Sequence, residues 1–170
     1  DHDSSLIEYT NIMNREVDRV NLLIEQLLDL SRPAKLEIVP LNIHQVLEDV
    51  LSLELKTHAG PTVNVKKLFD PSLPPIRGDR NRLTQVFLNL VKNGYQAMNG
   101  SGTLTITTRL DTDRHVRGQG AERSRIIWVE IADQGVGIKD EDLLHIFSPF
   151  FTTKNSGTGL GLAVCYWIIK

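Results

Sequence analysis

Between Leu6 and Leu30 the chain sets Leu6, Tyr9, Met13, Glu16, Val20, Leu23, Leu27 and Leu30 at alternating spacings of three and four residues, with only Glu16 polar. Apolar residues at that period fall on one stripe of a helix, whereas a strand would scatter them over both faces. Val17, Ile24 and Leu28 widen the stripe beyond a two-stranded seam. So long a stripe favours a coiled coil or helical bundle; the plainer alternative is a helix packed on its own domain. Pro33 closes the pattern, because the residue before a proline disfavours helix. The sequence therefore divides into a helical segment, residues 1–34, and a body, residues 35–170, with a different rhythm.

In that body the periodicities mix. Leu36 to Val39 reads as a short strand, and so does the stretch holding Val63, Val65 and Leu68. Between them residues 42–58 predict a helix, with Asn42 as cap, Gln45 three residues on, and Ile43, Val46, Leu47, Val50 and Leu51 on one face. Residues 70–75, "DPSLPP", form a rigid loop. A second long helix is expected from about Asp79 to Met98, with Leu83, Val86, Phe87, Leu90 and Val91 inward. "NGSG" at 99–102 is a turn, residues 103–110 alternate as a strand, and residues 111–125 form a polar insert expected as an exposed hairpin loop. Residues 126–132 are the most apolar strand candidate. Long helices among mostly adjacent strands predict an α+β fold, a two-layer sandwich with a mixed sheet covered on one face by helices.

Composition excludes several classes. With 19 basic and 21 acidic residues the net charge is −2, which gives no electrostatic case for a nucleic-acid partner. A single cysteine, Cys165, leaves no disulfide framework and no thiolate zinc site. The longest apolar run, Leu160 to Ile169, holds ten residues and one glycine, against about twenty for a membrane span. The acidic, polar opening is not a signal peptide. A cytoplasmic chain, or the cytoplasmic portion of a larger sensor with any membrane contact through an upstream anchor, is the expectation.

Three stretches carry chemistry. "NLVKN" sets Asn89 and Asn93 one turn apart on the second long helix, although asparagine is a mediocre helix former. Two exposed asparagines would be the plain explanation; a bound ligand, with Lys92 lending charge near a phosphate, is the other. "ADQGVGI" places Asp133 directly after an apolar strand, with Gly135 and Gly137 following. A carboxylate there can accept from a buried donor such as an adenine amino group, though an ordinary turn also uses Asp-x-Gly. "NSGTGLGLAV" alternates Gly157, Gly159 and Gly161. It has no lysine for a P-loop, and Leu162 stands where a dinucleotide fingerprint wants its third glycine.

The order of these pieces, with the Phe-rich "FSPFFTTK" between the last two, resembles the N, G1, F and G2 boxes of histidine kinases, across essentially the whole chain. Those kinases belong to the wider ATP-binding superfamily that includes gyrase, the ninety-kilodalton heat-shock chaperone and MutL. The resemblance implies ATP and Mg²⁺ as cofactors. It gives Asp133 the adenine amino group, lets Gly135, Gly137 and Ile138 approach the base, and makes Asn93 the metal ligand with Asn89 beside it. Asn89 and Lys92 are the implied catalytic residues. Lys154, Gly157, Thr158, Gly159, Leu160, Gly161 and Leu162 would form the lid hinge and the phosphate-facing helix start. Residues 1–34 look like the second helix of a dimerisation and phosphoacceptor hairpin, so residues 6–30 would make a homodimer. The implied partner is a response-regulator receiver domain. The stretch "FDPSLPPIRGDRNRLTQVFLNLVKN", the polar insert and the short lid look most like nitrogen-regulation kinases of the NtrB type, which adds a nitrogen-status signalling protein.

The chain departs from that family at three points. Gly94 replaces the usual alanine after the second asparagine, which should loosen the helix by about 1 kcal/mol. Two strands expected after the last helix do not follow in this sequence. None of the five histidines sits in an acceptor motif: after His2-Asp3, Leu6 occupies the position that wants Asn or Thr, and His44, His58, His115 and His145 lie in unrelated contexts. The acceptor is therefore expected on another helix. The rivals are a conformational ATPase or a nucleotide-sensing module of the same superfamily. The ATPases carry a Glu where this chain has Asn89, and an amide cannot take a proton from water.

Overall fold

The computed structural model describes residues 6, 7, 9–11, 13, 14, 17, 20, 36–57, 63–111, 126–154 and 157–170. Expectations for His2, His58, His115, the stripe beyond Val20 and the insert at 112–125 lie outside them. The chain divides into two compact units, one made of Glu37–Leu143 and the other of Asp1–Leu36 with Leu144–Lys170.

Glu37–Leu143 contains β1 (Val39–Leu41), α1 (Ile43–Thr57), β2 (Val63–Leu68), β3 (Ile76–Gly78), α2 (Arg80–Ala97), β4 (Gly102–Asp111) and β5 (Ile126–Ala132). β1 and β3 pair antiparallel, Val39 opposite Gly78. A three-stranded sheet runs in the order β2-β4-β5, with β2 parallel and β5 antiparallel to β4. This is the mixed sheet with helices expected from the sequence. The first strand is shifted from the sequence expectation: Leu36 to Ile38 lie outside it and Pro40 lies inside. Its register follows from β3, three residues to which the sequence pattern assigns no element.

One face of β4 is core, with Leu104, Ile106 and Thr108 buried in strict alternation. Against them stand the apolar faces of the two helices: Ile43, Val46, Leu47, Val50 and Leu51 of α1 and Val86, Phe87 and Val91 of α2 are all buried. Leu83 and Leu90 are half-buried. The starts of α1 and α2 are each held by a side chain. Asn42 Oδ1 accepts from His44 N at 2.9 Å, while Gln45 reaches Asp49 at 2.9 Å instead of closing a capping box. Asp79 caps α2, accepting from Asn81 N at 2.9 Å and Arg82 N at 3.1 Å. Its other oxygen accepts from Glu37 N at 3.0 Å, so one carboxylate ties the helix start to the approach of β1. These bonds, Glu37 first, hold its carboxyl below the usual range.

Two polar groups sit in the core. Thr108 Oγ1 accepts from Asp70 N at 3.0 Å and lies 2.9 Å from His44 Nε2, while the His44 ring stacks on Phe69 at 4.7 Å. Glu54 of α1 is buried beside Tyr95 of α2; burial, then the Glu54 charge, raises the phenol above its ordinary value.

In the second unit the described residues between 6 and 20 are helical. Leu6, Tyr9, Met13, Val17 and Val20 of the stripe are all exposed. The unit ends in α3 (Gly161–Ile169). Leu160, Ala163, Val164 and Cys165 are buried there, while Tyr166, Trp167 and Ile169 are exposed. Phe147 packs on Tyr166 with ring centroids 5.6 Å apart, so the phenylalanine-rich turn lies against this helix.

Candidate nucleotide site

α2 carries Asn89 and Asn93 half-buried on neighbouring turns, with Lys92 exposed beside them. Its inward face fixes their direction, since Val91, Gly94 and Tyr95 are buried. β5 delivers Asp133 to the same helix. A Cβ added to Gly94 would lie 3.5 Å from the Asp133 Cβ and 3.8 Å from Oδ2, so the carboxylate sits over the residue that follows Asn93. That Cβ would also meet Leu104 Cδ1 at 2.7 Å. Gly94 thus has a packing reason beyond its low helix propensity: it lets α2, β4 and Asp133 come together. Asp133 is exposed, and its Oδ1 accepts from Gly135 N at 2.8 Å, which turns the chain after the strand.

The two glycines that follow serve different ends. A Cβ at Gly135 would lie 2.6 Å from the backbone carbon of Ala97, so its absence lets the loop sit on the end of α2. Val136 N donates to Ala97 O at 3.2 Å across that contact. Gly137 takes φ +74 with nothing near its missing Cβ, so there glycine supplies conformation. Beyond it Ile138 is 54% exposed, an apolar side chain open to water.

In the other unit, Gly159 has φ +68, and a Cβ there would lie 2.3 Å from the Phe150 carbonyl carbon. Phe150 itself takes φ +67, a left-handed conformation that a bulky residue rarely adopts. Gly157 N donates to Lys154 O at 3.2 Å, and Thr158 Oγ1 accepts from Leu160 N at 3.4 Å. Leu160 then opens α3 at Gly161 and Leu162 without a side-chain cap. Lys154 is exposed, while Gly157, Thr158, Gly161 and Leu162 are half-buried.

The sequence reading missed Ala97 and Phe150. The signal at Ala97 was a small residue at the helix end; Phe150 offered none, because phenylalanine does not suggest positive φ. Among the described residues no three His, Cys, Asp or Glu side chains cluster as a metal site. No helix among them is long and apolar enough to cross a membrane.

Asp133 stands against an asparagine-bearing helix at the end of a mixed sheet. Residues 78–170, more than half of the chain, match the family described as histidine kinase-, DNA gyrase B- and HSP90-like ATPase, and the chain belongs to it. Among curated relatives it is 37% identical to the sensory histidine kinase/phosphatase NtrB of Rhodobacter capsulatus over 96% of this chain and 46% of that protein. To the sensor histidine kinase ZraS of Klebsiella oxytoca it is 36% identical over 94% of this chain and 32% of the other. The chain thus spans less than half the length of these relatives. Full-length ShkA in complex with AMPPNP superposes with a TM-score of 0.73 at 22% identity, over 95% of this chain and 33% of that one. Histidine kinase ThkA in complex with the response regulator TrrA superposes with a TM-score of 0.67 at 27% identity, over 92% and 42%. Within that family the relatives it resembles are sensor histidine kinases.

Proposed function

We propose that this chain is the catalytic region of a two-component sensor kinase, passing the γ-phosphoryl of ATP to a histidine presented by another helix and onward to a response-regulator Asp. The observation that carries the reading is the seat of Asp133 over Gly94, one residue from Asn93. It brings a carboxylate able to accept from an adenine amino group onto the turn of α2 that carries Asn93, the amide suited to the metal. Asp133 reads the base, and Ile138 covers its apolar face. Asn93, with Asn89 one turn back, would hold Mg²⁺, which would supply charge neutralisation to the phosphates. Lys92 adds positive charge. Lys154 and the turn through Gly157, Thr158, Gly159, Leu160, Gly161 and Leu162 address phosphate oxygens with backbone N–H groups at a helix start. Catalysis is then positioning plus charge neutralisation.

The apolar stripe of residues 6–30, exposed at Leu6, Tyr9, Met13, Val17 and Val20, supports a homodimer through that helix. Similarity to NtrB favours a cytoplasmic role in nitrogen regulation with a nitrogen-status protein as input, and the ThkA complex favours a receiver domain as output. Mixing the chain with labelled ATP, Mg²⁺ and the phosphoacceptor helix pair of a related sensor kinase should give acid-labile label on that pair's histidine. Asp133→Asn should abolish it along with ATP binding, leaving the fold intact. Full ATP affinity in a folded Asp133→Asn variant would sink the reading.

A further inference from the structure

β4 and β5 pair in a ladder whose last step sets Thr105 opposite Ala132. Continued by two residues, the same register would bring Thr103 opposite Gln134. The main chain does not continue: after Ala132 it leaves β4 and turns onto the end of α2, where Gly135 rests on the Ala97 backbone. Thr103 N would thereby lose its ladder acceptor. The side chain of Gln134 supplies one, with Oε1 accepting from Thr103 N at 3.1 Å. Its Cβ also lies 3.7 Å from where a Cβ on Gly102 would stand. Gln134 therefore bridges the gap between a strand that has ended and a loop that has peeled away. Its immediate neighbours in the chain are Asp133 and Gly135, which hydrogen-bond to each other at 2.8 Å.

We propose that Gln134 is a positioning residue for base recognition, a role that rests on Asp133 reading the adenine amino group. The loop from Asp133 to Val136 is pinned at Thr103 on one side and at Ala97 on the other. Two anchors on different elements fix the rotation of the segment between them, and so the direction of the Asp133 carboxylate. With the Ala97 anchor alone the loop can pivot. Glutamine suits the span because its carbonyl stands one methylene further from the backbone than that of asparagine.

The test compares metal-free ATP with ITP, which carries an oxo group in place of the amino group, by calorimetry on the whole chain. Wild type should prefer ATP. Gln134→Ala should lose about tenfold in ATP affinity, the scale of one hydrogen bond, with ITP affinity unchanged. Gln134→Asn should behave like the alanine variant because it falls short, and Gln134→Glu should restore the preference for ATP. Gln134 is exposed and Thr103 only half-buried, so the urea midpoint should hardly move. Equal weakening of ATP and ITP by Gln134→Ala, or wild-type ATP affinity in Gln134→Asn, would overturn the proposal. So would an unchanged preference in Gln134→Ala when Asp133→Asn removes it. If Asp133→Asn keeps the preference for ATP, the base reading falls and this inference falls with it.

Discussion

Replacing Gly135 by alanine asks whether the loop after β5 depends on contact or on conformation. The new Cβ would stand 2.6 Å from the carbonyl carbon and Cβ of Ala97 and 2.7 Å from its oxygen. Those atoms belong to a helix backbone and cannot swing aside as a side-chain tip would. Forcing one carbon into such a contact costs about 1–3 kcal/mol. Lifting the loop away also breaks the 3.2 Å bond from Val136 N to Ala97 O, a further loss of about 1 kcal/mol. Gly135→Ala should therefore destabilise by about 2–4 kcal/mol, a large share of the ~5–15 kcal/mol that holds a domain folded. Gly137→Ala is the control: φ is +74 and no atom lies within 4 Å of the missing Cβ, so only the left-handed backbone is strained, at about 1 kcal/mol. Urea titration at constant slope measures both. ATP affinity should fall further at 135 as well, because Gly135 N holds the Asp133 carboxylate. A loss at 137 equal to or greater than that at 135 would refute the contact argument.

Asn93→Ala should weaken Mg-ATP far more than metal-free ATP in calorimetry, since only the former uses the amide as an oxygen ligand; equal weakening would assign Asn93 to the fold. Asp79→Ala should cost about 1–2 kcal/mol at neutral pH through loss of the α2 cap and the Glu37 bond. The Asp79 carboxyl is held below its ordinary value, so its contribution is complete above the unfolded pKa of about 3.9 and disappears as pH falls through the lower folded value. The stability gap between wild type and Asp79→Ala should therefore stay constant from neutral pH to about 5 and close below about 4. Gly94→Ala sets a propensity gain of about 1 kcal/mol against a contact of 2.7 Å with Leu104, whose side chain is buried and has little room to yield. Net destabilisation should appear in thermal melts, and Leu104→Val should recover part of it.

Legibility followed how local the signals were. The faces of α1 and α2 and the alternation of β4 were readable because burial imposes periods of 3.6 and 2, and β5 by its run of apolar residues. The order of Asn89, Asn93, Asp133 and the glycines was readable for the same reason: each motif is contiguous. β3 was not, since three residues between a proline-rich loop and a helix cap carry no period, and only its partner β1 defines it. The shift of β1 has the same origin. Nor could the sequence say why Gly94 is glycine or what Gly135 touches, because both answers lie in residues distant along the chain, Leu104 and Ala97. The Asp79 cap was anticipated only as a helix start; its second oxygen reaching Glu37, 42 residues away, is tertiary.

The Ala97 carbonyl has a consequence for motion. It is among the last carbonyls of α2, where a helix cannot satisfy its own acceptors, and it receives the Val136 N–H instead. Fraying of that last turn and release of the loop after Asp133 are thereby one event. Whatever holds the loop must slow the opening of the helix end, so nucleotide occupancy should be visible in hydrogen exchange at amides that touch no ligand. Met98 N, Asn99 N and Ser101 N, bonded to Gly94, Gln96 and Met98 carbonyls, are the reporters. With ATP at a hundredfold its dissociation constant the bound state gains about 2.7 kcal/mol, enough to slow exchange at those three positions about a hundredfold if they open only when the loop does.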